Sequence, residues 1–298
     1  MKIKTRRYYV YYIACVAGFS IAILPLRVGL FLAELAGKIS YALLEKGRKV
    51  TLRNLRDAFP EKSDREIEGI AKGVFVTLCR NAVEWLNIYK LTKKNLDAWI
   101  TSEDFKKIDE AYSKGNGVLI LASHFGNWEL SSFCFTLKGY KSTAIARRIY
   151  FDRYNNFIQK MRASKNVNVV YRDESPKKFL RILRKNEVLG LLADQDMDSV
   201  GGVFVDFFGK PTYTAKAPVT IAMASKAPLI PLFVIRGPKK HRLIIEDPIE
   251  IEIKATKEET IKYNTQKWTR LLESYIRKYP DHWVWMHKRW KTKPEAEK

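Results

Sequence analysis

Short apolar runs alternating with helical stretches dominate residues 118–278, and this alternation constrains the fold more than any other feature. Val118–Ala122, reading VLILA, contains no polar residue. A strand without polar alternation is one covered on both faces. Strand-like runs recur at Ser142–Ala146, Val167–Tyr171, Val188–Ala193, Leu229–Ile235 and Arg242–Glu246. Helical patterns separate them: one through about Lys138, then Asp152–Ser164, Pro176–Lys185 with proline in its first turn, and Ala215–Lys226. A long amphipathic segment, Thr256–Lys278, closes the series. The pattern predicts an α/β fold with a mainly parallel central sheet flanked by helices. Ligands of such sheets sit at the carboxyl ends of the strands.

The preceding part reads as helix from about Glu34 to Tyr89, and Ser63-Asp64-Arg65-Glu66 has the makings of a capped helix start. Tyr8–Leu26 is a stretch of 19 residues without charge. A membrane-spanning helix needs about 20 apolar residues. The stretch is longer than a signal-peptide core, and Arg27 follows it with no small-residue cleavage pattern. Residues 1–32 are therefore expected to be an N-terminal membrane-anchoring helix, and residues 33–298 the catalytic domain. Both flanks are basic, so the positive-inside rule does not orient the segment, and an interfacial placement is the alternative to a full span.

Lys and Arg number 54 against 32 Asp and Glu, a formal net charge of +22. An excess of that size points to an anionic partner: a membrane face, an acidic carrier protein or nucleic acid. The aromatic residues mark no recognisable nucleic-acid-binding fold, which argues against the last. Cys15, Cys79 and Cys134 are scattered in apolar stretches and form neither a disulfide framework nor a metal motif.

The chemistry concentrates in Leu121-Ala122-Ser123-His124-Phe125-Gly126-Asn127-Trp128-Glu129-Leu130. His124 lies just past the buried strand and Glu129 in the first turn of the next helix. On one continuous helix a separation of five residues would set them about 140° apart. A bend at Gly126 would bring them together. Asn127 is placed to cap the helix and to contact substrate. A neutral imidazole removes the proton of an attacking hydroxyl, and a carboxylate on its other nitrogen fixes the tautomer. Ser123 lacks the G-x-S-x-G setting of a nucleophile, and one His with one Glu does not make a zinc site. A bland reading of His-x4-Glu is a helix-start histidine beside an exposed glutamate. For Arg147 and Arg148, after the second strand, phosphate contact and solvated charge stand equal.

HFGNWE, between its strand and its helix, resembles the H-x4-D/E signature of glycerolipid acyltransferases, and more closely that of the lauroyl and myristoyl transferases of lipid A biosynthesis. Ala193-Asp194-Gln195-Asp196, Val203–Gly209 and the ending Asp281–Pro294 resemble that family's later blocks in order. The resemblance implies a glycerolipid acyltransferase-like fold and O-acyl transfer from an acyl thioester, on acyl carrier protein or coenzyme A, to a hydroxyl of a lipid A precursor. Phosphatidylinositol mannoside-type acceptors are the alternative, and a non-catalytic membrane-surface protein the rival of another class. It implies His124 as general base with Glu129 orienting it, Arg162 stabilising the thioester oxyanion, and Asp194 and Asp196 as acidic catalytic residues that hold Arg162 or the acceptor. Phe204, Phe207 and Phe208 are expected to wall the acyl channel, and His287 and Arg289 to contact substrate. No cofactor or metal is implied. The expected location is the inner membrane, single-pass or monotopic, with the catalytic domain facing the cytoplasm.

Overall fold

The computed structural model describes residues 2–102, 104–197 and 200–294. Four helices lead: α1 (Lys2–Ile23), α2 (Leu26–Leu43), α3 (Glu45–Ala58) and α4 (Asp64–Leu86), with short α5 (Leu96–Trp99) and β1 (Ile100–Thr101) after them. Then come α6 (Phe105–Ser113), β2 (Val118–Ala122), α7 (Trp128–Leu137), β3 (Ser142–Ala146), α8 (Asp152–Ala163), β4 (Asn168–Tyr171), α9 (Pro176–Arg184) and β5 (Val188–Leu192). The chain closes with β6 (Gly202–Phe207), β7 (Lys210–Ala215), α10 (Ala217–Ser225), β8 (Leu229–Arg236), β9 (His241–Ile245) and α11 (Lys257–Lys278).

The central sheet has the order β1-β9-β8-β2-β5-β3-β4, and only the β8–β9 pairing is antiparallel. The mainly parallel sheet flanked by helices is as expected. Side chains of β2 alternate between two cores, as the period of two requires. Val118, Ile120 and Ala122 pack with Leu130, Phe133 and Phe135 of α7. Leu119 and Leu121 face Phe179 and Leu183 of α9 and Trp268 and Leu272 of α11. The proposed cap of α4 is present: the Ser63 hydroxyl accepts the Glu66 N–H, and the Glu66 carboxylate accepts the Ser63 N–H at 2.9 Å.

A membrane-crossing helix over Tyr8–Leu26, expected from the absence of charge, does not form. Pro25 lacks the N–H that would continue the helix, so α1 stops at Ile23 and α2 restarts at Leu26. What remains uncharged in α1 is short and carries tyrosines, alanines, Gly18 and Ser20. Among the described residues no helix is long and apolar enough to cross a membrane. The Tyr89 hydroxyl donates to the Ala22 carbonyl at 2.7 Å, and Lys90 Nζ to those of Ala22 and Leu24, so the end of α1 is capped by side chains of the domain. α2 carries Gly29, Ala33, Gly37 and Tyr41 buried at four-residue spacing. A Cβ at Gly37 would lie 2.5 Å from the Val76 Cα of α4, so the two helix backbones touch. The expected boundary between residues 32 and 33 falls inside this packed helix, and residues 295–298 of the expected domain lie outside the described residues. On their outer faces α1 exposes Tyr9, Ile13, Val16, Phe19 and Ile23, and α2 exposes Phe31, Leu35, Ile39 and Leu43. Both sets recur at three- to four-residue steps.

Val203–Gly209 proves to be one arm of a hairpin: β6 pairs antiparallel with β7 from Gly202↔Ala215 to Phe207↔Lys210. Phe208 and Gly209, at φ 55° and 70°, form the two-residue turn, the left-handed pair that matches the twist of the strands. Ala215, expected to open a helix, ends β7 instead.

Candidate active site

β2 and β5 are parallel neighbours in register, Ala122 opposite Leu192. Two residues past each strand end the chain therefore sets His124 beside Asp194. His124 Nδ1 and Asp194 Oδ1 are 2.9 Å apart, and the His124 backbone N–H donates to Asp194 Oδ2 at 3.0 Å. The Trp283 indole N–H donates to the same Oδ2 at 2.8 Å. Asp194 is buried; burial opposes its charge, but His124 and these donors hold its carboxyl below the usual aspartate range. Burial likewise works against protonation of His124, yet the Asp194 and Glu129 charges raise its pKa above the ordinary imidazole value. With Nδ1 committed to Asp194, Nε2 is the nitrogen available to a ligand.

Glu129 was expected to orient His124. It turns instead to Arg162 of α8, which grips it in a two-pronged ion pair: Nε to Oε2 at 3.1 Å and Nη2 to Oε1 at 2.6 Å. The reason is the turn through Gly126 and Asn127, which sends α7 across the face of the sheet toward α8. This pair leaves Arg162 Nη1 for a ligand.

Beneath the pair lies a narrow cleft between α7 and the sheet. Its upper end holds Trp128, Glu129, Arg162 and Leu192; its floor holds Phe135, Ser142 and Val188. Small residues make room for it: Gly190 pairs with Ile120 on one side and Ala144 on the other. A Cβ on Gly190 would meet nothing within 4 Å. Ser131 and Ser132 face it from α7, but their hydroxyls donate to the Trp128 and Glu129 carbonyls, so the lining is effectively apolar. The Trp128 ring also stands 5.1 Å from that of His124, edge to face.

Other expected site residues lie elsewhere. The Asn127 side chain neither caps α7 nor faces the cleft; it is buried and donates to Glu84 Oε2 at 2.7 Å. Asp196 is buried and holds the chain end, accepting the Thr292 N–H at 2.8 Å and its hydroxyl at 2.7 Å. His287 Nε2 accepts the Asp196 N–H at 2.9 Å. Arg289, fully buried, donates to the Tyr213 carbonyl and the Thr214 hydroxyl, each at 2.6 Å, and burial pushes its pKa down to about 10. Phe207 and Phe208 pack against Trp283, Trp285 and Trp290, while Phe204 meets the Tyr213 ring edge to face, so none of the three lines the cleft. They cannot, because β6 lies against α11 on the far side of the sheet from α7. Arg147 and Arg148 are exposed past the end of β3; Arg148 lies 3.8 Å over the Tyr171 ring. Sequence reasoning gave no role to Glu84, Asn81, Arg236 and His241, which gather under the turn between His124 and Glu129, nor to the small residues of the cleft.

The family model for the bacterial lipid A biosynthesis acyltransferases matches residues 1–292. The chain belongs to that family. It is 25% identical over 268 residues to the lipid A biosynthesis lauroyltransferase of Escherichia coli (strain K12), covering 87% of this chain and 84% of that one. It is 23% identical over 295 residues to the lipid A biosynthesis myristoyltransferase of the same organism, covering 98% and 90%. A phosphatidylinositol mannoside acyltransferase of Mycobacterium tuberculosis is 28% identical over 159 residues, 49% of each chain.

Proposed function

We propose that this family member transfers a fatty acyl chain from an acyl thioester to a hydroxyl of a lipid A precursor. The observation that carries the reading is the Glu129–Arg162 pair at the mouth of a narrow apolar cleft, with the His124–Asp194 pair beside it against the Trp128 ring that lines the same cleft. The acyl chain lies in the cleft and its thioester carbonyl at Arg162. The acceptor oxygen attacks that carbon while its proton passes to His124 Nε2. Asp194 holds the imidazole and offsets the positive charge it gains. Arg162, fixed by Glu129, meets the negative charge on the tetrahedral oxygen. The carbon–sulfur bond then breaks, the proton moves from His124 to the leaving sulfur, and an ester and a free thiol result.

Acyl carrier protein is the expected donor, coenzyme A the alternative. An acidic carrier and a phosphorylated acceptor both complement the charge of +22. The apolar stripes on α1 and α2 suit a monotopic seat on the inner membrane, with the catalytic end toward the cytoplasm. The phosphatidylinositol mannoside acyltransferase matched over about half of its length supports phosphatidylinositol mannosides as the second acceptor class. Detergent-solubilised protein, supplied with radiolabelled tetra-acylated lipid A precursor and acyl carrier proteins bearing a range of chains, should yield acylated product. Product with phosphatidylinositol mannoside alone would move the assignment to that acceptor; no product with either would refute it.

A further inference from the structure

The turn between His124 and Glu129 is tied on both sides, and one tie runs to a charge that the mechanism above does not use. On one side, the Gly126 N–H donates to the His282 carbonyl at 2.8 Å and the Val284 N–H to the His124 carbonyl at 3.1 Å. On the other, Asn81 of α4 donates to the Gly126 carbonyl at 2.7 Å, and the Asn127 amide donates to Glu84 at 2.7 Å. Gly126 itself has φ 56°, and a Cβ there would stand 1.7 Å from the Val234 carbonyl oxygen.

Glu84 is 4% exposed, deep enough that its charge must be matched. Arg236 supplies a bidentate pair at 2.6 and 2.8 Å, and the same guanidinium donates to Asn81 at 2.7 Å. His241 Nε2 lies 3.0 Å from both carboxylate oxygens. The Arg236 guanidinium already neutralises the carboxylate, and His241 adds a hydrogen bond to it. The fourth donor, Asn127, adds nothing to that charge balance, and its amide is drawn away from the helix start it would otherwise cap. What the bond does is fix the backbone of the turn.

We propose that Glu84, through Asn127, is a positioning residue for acyl transfer: it sets the turn that holds His124 at its distance from the Glu129–Arg162 pair. The proposal rests on the reading of the site given above. Asn127→Ala tests it, because Glu84 keeps Arg236 and His241 and its charge stays matched. A misplacement of about 1 Å costs up to ~100-fold in rate, so kcat should fall about ten- to a hundredfold with KM for the acyl thioester and the melting temperature little changed. Asn127→Ser, with a shorter reach, should lower kcat in the same direction. Amide hydrogen exchange of the purified protein should speed up in residues 124–128 and stay unchanged in β2 and β5. Full kcat in both variants with native protection of the turn would overturn the proposal. If the unaltered protein transferred no acyl group, the reading of the site would fall, while the exchange measurement would still decide the brace.

Discussion

Gly190 stands midway down the cleft, between Leu192 at its upper end and Val188 at its floor, and a side chain there should shorten the acyl chain the enzyme prefers. Val188 lies two residues deeper along β5, roughly 7 Å at about 3.3 Å per residue. A leucine at 190 projects into open space, since a Cβ there meets nothing within 4 Å, and it blocks that lower part. Each methylene denied burial loses about 0.8 kcal/mol, so excluding even three of those that this length would hold costs about 2.4 kcal/mol, or at least about 50-fold in kcat/KM. Acyl thioesters too short to pass residue 190 should react at the unaltered rate. The assay is competition between acyl carrier proteins loaded with short and long chains, with products separated by mass. Leucine replaces a glycine inside a strand, so stability should hold or rise. An equal loss for all chain lengths, or no change in preference, would refute the placement of the chain in this cleft.

Asp194→Asn should lower kcat by about 10²–10⁴-fold, as loss of the group that fixes a catalytic imidazole does. Asp194 raises the His124 pKa, and the base must be neutral to act. The ascending limb of kcat/KM should therefore lie above pH 6.5 in the unaltered protein and move to lower pH in the variant, and a limb that stays or moves up would contradict the pairing. Gly126→Ala combines a left-handed backbone with a Cβ 1.7 Å from the Val234 oxygen. Chemical denaturation should show a loss of at least about 3 kcal/mol, and a loss under about 1 would contradict the close approach.

The central sheet was legible because β2, β5 and β8 are buried on both faces, and burial on both faces leaves an unbroken apolar run. The cap of α4 was legible because a capping box is local chemistry. The partner of His124 was not. Asp194 is 70 residues away in sequence, and only the adjacency of β2 and β5 brings it in. Glu129 was the nearer carboxylate in the chain, and nothing local shows that α7 carries it toward Arg162. The membrane span was misread because an absence of charge resembles one. Pro25 and the tyrosines, rather than charge, decide how long and how apolar the helix is. The strand Lys210–Ala215 escaped notice because Lys210, Pro211 and Thr212 look like a turn, and the turn itself lacks the asparagine or aspartate that usually announces one. The cleft is made by what is missing, small side chains at 144 and 190, and their alignment appears only once β3 and β5 pair.

The most direct test of the account is single-turnover transfer from acyl carrier protein to the lipid A precursor, comparing the unaltered protein with His124→Ala and Glu129→Ala at saturating substrates. The account predicts product from the unaltered protein and a loss of at least about 10²-fold in each variant, the one lacking its base and the other the anchor of its oxyanion donor. Unimpaired transfer by His124→Ala would contradict it and leave the histidine a structural residue at the start of a helix.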